Sequence, residues 1–189
     1  MTNLYPIRFH DADKAEMGKI YLRQYFIWFM ESIPSTISRL QTKVREDMKF
    51  AQWEASLSRE SFEILCIWHA QHLGTMIEDK VEINFENGTS AIVDTHYFSD
   101  KTYSQVMDVG VYFGECLRHE FKQLKWVQLL TAKRWIDYGE PILTGFAKKK
   151  TRNIRRNSLV ISSRIAKQMA AAHDFIVMYQ QIASEVESE

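Results

Sequence analysis

The sequence predicts an α+β fold: a helical N-terminal half, a small antiparallel sheet built from hairpins, and a long C-terminal helix. Three observations carry this prediction. The apolar period is three to four residues over most of the chain, it switches to two on either side of Asn87-Gly88, and only seven glycines and three prolines are present to make loops. Spacings of three and four mark helices, alternation marks strands, and the order helices, hairpin, helix, hairpin, helix places a covered antiparallel sheet among helices. A chain of 189 residues, 46% hydrophobic and 13% aromatic, suits one domain with a substantial core. It reads as a single domain over 1-189, with a helical part over 1-55 and an α+β core over 56-189.

In chain order, Asp11 or Asp13 can cap a first helix that runs to about Ile33, where Pro34 ends it. Its stretch Tyr25 to Met30 (YFIWFM) is apolar all round, which suits either a helix buried on most sides or an aromatic surface. Pro34-Ser35 restarts a second helix with Ile37, Leu40, Val44 and Met48 inside and Arg39, Lys43 and Lys49 outside. Ser58 with Ser61, or Ser56 with Arg59 and Glu60, opens a third, whose inner stripe is Phe62, Leu65, Trp68 or His69, and Leu73. Val81–Glu86 and Thr89–Thr95 then alternate about Asn87-Gly88, a dipeptide that tolerates the positive φ of a tight hairpin turn. A fourth helix follows at about Gln105–Lys122, with Val106, Val109, Phe113 and Phe121 inward. Gly110 and Gly114, four apart, invite a close-packed neighbour, since each costs about 1 kcal/mol against alanine in a helix interior. Trp126–Thr131 and Glu140–Phe146 read as two more strands, Pro141 being at an edge or first in its strand. One long helix over about Asn157–Val186 closes the chain, with Met169 and Ile176 among its inner residues.

Lys+Arg and Asp+Glu are both 24, so the overall charge draws the chain toward neither nucleic acid nor a membrane. The N-terminus has no basic-then-apolar signal pattern and no apolar run approaches the ~20 residues of a bilayer span, so a cytoplasmic protein without a membrane role is expected. Cys66 and Cys116 fall in apolar helical patterns and read as two buried, reduced thiols.

No P-loop, dinucleotide fingerprint or nucleophile elbow occurs. Cys66, His69 and His72 recur every three residues on the third helix, where neighbouring pairs can share a metal ion. Successive steps of three drift round the helix by about 60°, so a three-ligand site is strained, and the expectation is no metal and no cofactor. His10, His96 and His119 are merely available as a further ligand. Asp94 and His96 share a strand face, the spacing of an acid–base pair, with Asp100 nearby. Glu115 and Arg118 lie three apart on the fourth helix, expected on its outer side as a solvated pair or a partner contact. The strongest asymmetry is the basic run Lys148, Lys149, Lys150, Arg152, Arg155 and Arg156, six cations in nine residues ahead of the last helix. It suits a solvated loop, an acidic patch on a protein partner, or phosphates, although it lacks the interleaved aromatics of a nucleic-acid stacking platform.

Two stretches carry a resemblance. SLSRESFEILCIWHAQHL (Ser56–Leu73) resembles an "ESL-then-amphipathic-helix" segment of a broad set of small bacterial proteins. VMDVGVYFGECLRHEFKQLKWV (Val106–Val127) resembles their second signature, a D-x-x-x-Y-x-G-E helix followed by a tryptophan strand, here Asp108, Tyr112, Gly114, Glu115 and Trp126. PILTGF (Pro141–Phe146) and NSLVISSRI (Asn157–Ile165) look like the strand and helix that follow. The likeness covers about residues 56 to 165, and the hairpin around Asn87-Gly88 looks like an insertion relative to shorter members. Some of these proteins are similar to immunity proteins encoded beside secreted toxins. The resemblance therefore implies a non-catalytic protein that neutralises a cognate bacterial toxin by direct binding. The charge pattern adds the basic run, Arg118 and Glu115 as candidate contact residues, and a homodimer stays open. The alternatives are a metal- or histidine-dependent enzyme and a nucleic-acid-associated protein using the 148-156 run.

Overall fold

The computed structural model describes residues 17–84, 88–131 and 133–187. Their elements, in chain order, are α1 (Lys19–Arg45), α2 (Arg59–His72), β1 (Met76–Asn84), β2 (Ser90–Phe98), α3 (Asp100–Glu120), β3 (Lys125–Gln128), β4 (Pro141–Thr144), α4 (Ile154–Ala166) and α5 (Ala172–Glu187). The α+β class is as the sequence predicts. The candidate caps Asp11 and Asp13, and His10, lie outside the described residues.

Helix α3 is the axis of the molecule. Every residue from Gln105 to Gly114 is buried, so this helix is covered on all sides rather than along one stripe. Its two glycines admit two different neighbours. A Cβ on Gly110 would stand 2.9 Å from the Arg155 Cα of α4, and one on Gly114 would clash with the edge of the Trp126 indole of β3. Phe62 of α2 stacks on Phe113 with ring centroids 4.5 Å apart, Tyr179 of α5 stacks on Phe113 at 5.7 Å, and Phe29 of α1 meets Trp126 edge-on at 5.2 Å. One contiguous aromatic core thus joins α1, α2, α3, β3 and α5.

Two helices expected on either side of Pro34 are one. The buried positions Leu22, Phe29, Ile33, Thr36, Leu40 and Val44 keep a single phase across the proline, and Pro34 itself faces solvent. The hydroxyls of Ser32 and Ser35 donate to carbonyls one turn back, Phe29 O and Ser32 O, beside the interruption. Burial on a continuous stripe outweighs the hydrogen bond the proline removes. Met48, expected inside, falls past the end of α1 and is 90% exposed.

The expected closing helix is divided. Asn153 caps α4, its Oδ1 accepting from the Arg156 amide, so α4 begins at Ile154 and not at Asn157. At its other end Gln168 takes φ 57°, and the amides of Lys167, Gln168 and Met169 bond back to Ser163, Ile165 and Arg164. The turn resets the helical phase. Phe175, Tyr179, Ile182 and Val186 form the inner stripe of α5, Ile176 is only partly buried, and Met169 is exposed.

Both hairpins form. In β3–β4 Trp126 opposes Leu143 and Pro141 is the first residue of its strand, while Leu143 also bridges to Arg152 on the far side. In β1–β2 Met76 opposes Phe98 and Asn84 opposes Ser90, so each strand is longer at its base than the alternation suggested. Gly88 has φ 78°, as the turn requires.

Candidate functional site

The basic run does not form one surface. Because Asn153 starts α4 early, Arg155 and Arg156 occupy the first turn of a helix that packs on α3, rather than a loop. Arg155 is 6% exposed; its guanidinium donates to the Tyr25 hydroxyl at 2.7 Å, pairs with Glu140 at 3.2 Å and lies over the Phe29 ring at 5.4 Å. It is an interior group, which corrects its expected place on a contact face. Burial pushes the Tyr25 hydroxyl up to about 12, against the lowering pull of Arg155, so Tyr25 stays protonated. Arg156 bonds the Ile136 carbonyl at 2.6 Å and pairs with Asp137 at 3.2 Å. Lys150 and Arg152 converge on Glu185 of α5, whose carboxyl these partners hold below the usual range. Lys148 and Lys149 remain outward in a 3-10 turn, both at positive φ, 55° and 54°.

Glu115 and Arg118 are likewise more structural than expected. Glu115 Oε1 accepts from Trp126 Nε1 at 2.7 Å and from Arg118 at 2.6 Å, and its side chain is only 13% exposed. The carboxylate therefore fixes the indole that lies across Gly114. The other signature residues do comparable work. Asp108 accepts both Nε (3.1 Å) and Nη2 (2.7 Å) of Arg39, clamping α1 to α3. The Tyr112 hydroxyl accepts from the Leu57 amide at 3.1 Å and bonds Ser61, which holds the segment leading into α2, where Leu57 sits at φ 58°. Arg39 and Lys43, expected in solvent, are thereby drawn into the α1–α3 seam.

The Cys66, His69 and His72 series is dispersed by its surroundings. Cys66 and Cys116 are both buried and neither is in a disulfide; burial pushes both thiols up. His69 is fully buried, with Nε2 2.8 Å from Ser162 Oγ and Nδ1 3.1 Å from the Gln105 amide nitrogen. Gln105 in turn accepts from Lys43 Nζ at 2.7 Å. A chain Lys43–Gln105–His69–Ser162 so runs from the half-buried seam to the α3–α4 interface. Donation from Gln105 leaves Nδ1 as acceptor and Nε2–H as donor toward Ser162, so neither nitrogen keeps a lone pair for a metal. Desolvation, with Lys43 adding to it, lowers the His69 pKa to about 3. His72 turns the other way, Nδ1 to the Trp68 carbonyl at 2.8 Å and Nε2 to Asp47 at 3.2 Å. Among the described residues no group of three His, Cys, Asp or Glu side chains could hold a metal ion. His96 stands 3.7 Å from Glu78 across the hairpin; the Asp94 side chain lies outside the described residues.

The chain matches no family model, no curated protein and no solved structure. Its own surface must indicate the site, and the β1–β2 hairpin is what stands out. From Ile77 to Tyr97 no described side chain is buried; the hairpin is held at its base by Met76 and Phe98, which pack with Leu73, Tyr103, Val106 and Leu159. Ile77, Val81 and Tyr97 share one face and are 42%, 44% and 36% exposed, while Ile92 on the other face is 71% exposed. Beside the base an apolar cleft of about 280 Å³ opens between Met76, Phe98, Tyr103 and Leu159. Alternation in the sequence marks this hairpin; that none of its described side chains between Ile77 and Tyr97 is buried is a tertiary fact without a local signal. Among the described residues no helix is long and apolar enough to cross a membrane.

Proposed function

We propose that the chain is a non-catalytic binding protein, an immunity-type inhibitor that neutralises a bacterial toxin by direct contact. The observation that carries the reading is the β1–β2 hairpin, which exposes apolar side chains on both faces and contributes little to the core. A two-stranded hairpin is marginal alone in water, and exposed strand edges and apolar side chains are a liability unless a partner uses them. The resemblance carried by Asp108, Tyr112, Gly114, Glu115 and Trp126 supports the same reading, and those residues hold α1, the segment before α2, and β3 against α3.

The histidine-dependent reading is weaker on this geometry. Ser162, His69 and Gln105 are connected as a nucleophile, a base and its orienter would be, yet Ser162 and His69 have no exposed surface and no substrate can approach. The nucleic-acid reading loses its continuous cationic track, because four of the six cations are engaged with Glu140, Asp137 or Glu185.

The test is growth of cells that co-express this chain with the product of the neighbouring gene. Protection from that product's toxicity is expected. A toxic neighbour left fully active, or a neighbour without toxicity, would overturn the proposal.

A further inference from the structure

The geometry points to the β1–β2 hairpin as the element that docks, and to a cationic groove with an apolar floor, on a different protein, as what receives it. This inference rests on the binding reading above and adds the surface and the partner's chemistry.

Charge on the hairpin is one-sided. The whole chain is neutral, but the segment from Met76 to Phe98 holds five carboxylates (Glu78, Asp79, Glu82, Glu86 and Asp94) against the single cation Lys80. Alternation distributes the described ones over both faces. Asp79 lies among Ile77, Val81 and Tyr97, whereas Glu78 and Glu82 share the other face with Ile92. Glu78 is 84% exposed at its side chain, with His96 of the opposite strand 3.7 Å away. A flat surface can meet only one of these faces. A groove can enclose both, covering the apolar residues and meeting carboxylates on each wall, and the cleft at the hairpin base can take one side chain from its rim.

A second copy of this chain is a poor occupant, because hairpin-to-hairpin pairing sets carboxylates against carboxylates. Phosphate-bearing surfaces meet the same repulsion. A groove rich in Lys and Arg is favoured, with steering that accelerates association and falls with salt.

The experiment replaces Ile77, Ile92, Ile64 and Lys148, one at a time, by a photocrosslinking phenylalanine analogue in the full chain, in the cells that make the protein. Ile64 is an exposed residue of α2, and Lys148 belongs to the outward basic turn. Adducts are expected from positions 77 and 92 and not from 64 or 148, joining one other protein through a peptide rich in Lys and Arg. In the same chain Glu78→Lys with Glu82→Lys should cut adduct yield and affinity for that protein at least tenfold, with an unchanged melting curve as the folding control. An adduct with a second copy overturns the inference, as does a crosslinked peptide of neutral or acidic character. Adducts from Lys148 or Ile64 alone overturn it while leaving the binding reading in place. Absence of adducts from all four positions alongside toxin protection in co-expression also sinks the hairpin assignment; absence of both sinks the binding reading itself.

Discussion

Lowering the pH from 7.5 to 5.0 should destabilise the fold through His69 by about 2 kcal/mol. In the folded chain this ring is neutral and its pKa lies at about 3, while unfolded it returns to about 6.5. A depressed folded pKa means the unfolded chain takes up the proton first. Stability from this group is therefore complete above pH 6.5 and is lost progressively as pH falls toward 3. At pH 7.5 the loss is negligible; at pH 5.0 the unfolded ring is protonated some thirty to one, which corresponds to about 2 kcal/mol. The figure depends on the unfolded value and hardly changes for any folded pKa below about 4. For a chain of this length it lowers Tm by about 4–8 °C. The assay is urea unfolding at both pH values of the native chain and of His69→Gln, whose amide does not titrate. Ionisable groups other than residue 69 are common to both proteins and cancel in the difference. The native chain should lose about 2 kcal/mol more than the variant. Equal losses would refute the buried, neutral His69 and with it the Lys43–Gln105–His69–Ser162 chain.

Other substitutions probe the seams around α3. Gly114→Ala drives a methyl against the edge of the Trp126 indole and should cost about 1–3 kcal/mol, with a shift in tryptophan fluorescence; an unchanged melt would contradict the packing. Arg155→Met leaves the Glu140 carboxylate without its interior cation and should cost about 3–5 kcal/mol by chemical denaturation, much of it recovered when Glu140→Gln is added. Asp108→Asn weakens the clamp on Arg39 and should cost about 1–3 kcal/mol, in contrast to a near-neutral Glu54→Gln on the exposed pair with Arg45.

Local pattern made much of the scaffold legible. The Ser58 cap, the stripe Phe62–Leu65, the pairing of β1 with β2 and the paired glycines each have a short-range cause, and each is where the sequence places it. Other features escape local pattern. Pro34 is a stop signal in isolation, and only the unbroken stripe Phe29, Ile33, Thr36, Leu40 shows that the helix continues on a buried face. The break at 167–171 contains neither glycine nor proline, since Gln168 supplies the left-handed residue. For the candidate site the decisive facts are long-range. Arg155 meets Tyr25 across 130 positions and His69 meets Ser162 across 93, so a cation and a base that look reactive in sequence are structural in space. Exposure of Ile77, Val81 and Ile92 has no local signature, because alternation tells which residues share a face but not whether anything covers it.

Light scattering on a size-exclusion column tests the proposed docking of another protein on the acidic hairpin. The chain is mixed with the product of the neighbouring gene, once as it stands and once carrying Glu78→Lys and Glu82→Lys. A stable heteromeric complex with the native chain and two separate peaks with the variant is the predicted result. Separate peaks in both runs, or an undiminished complex with the variant, would contradict it.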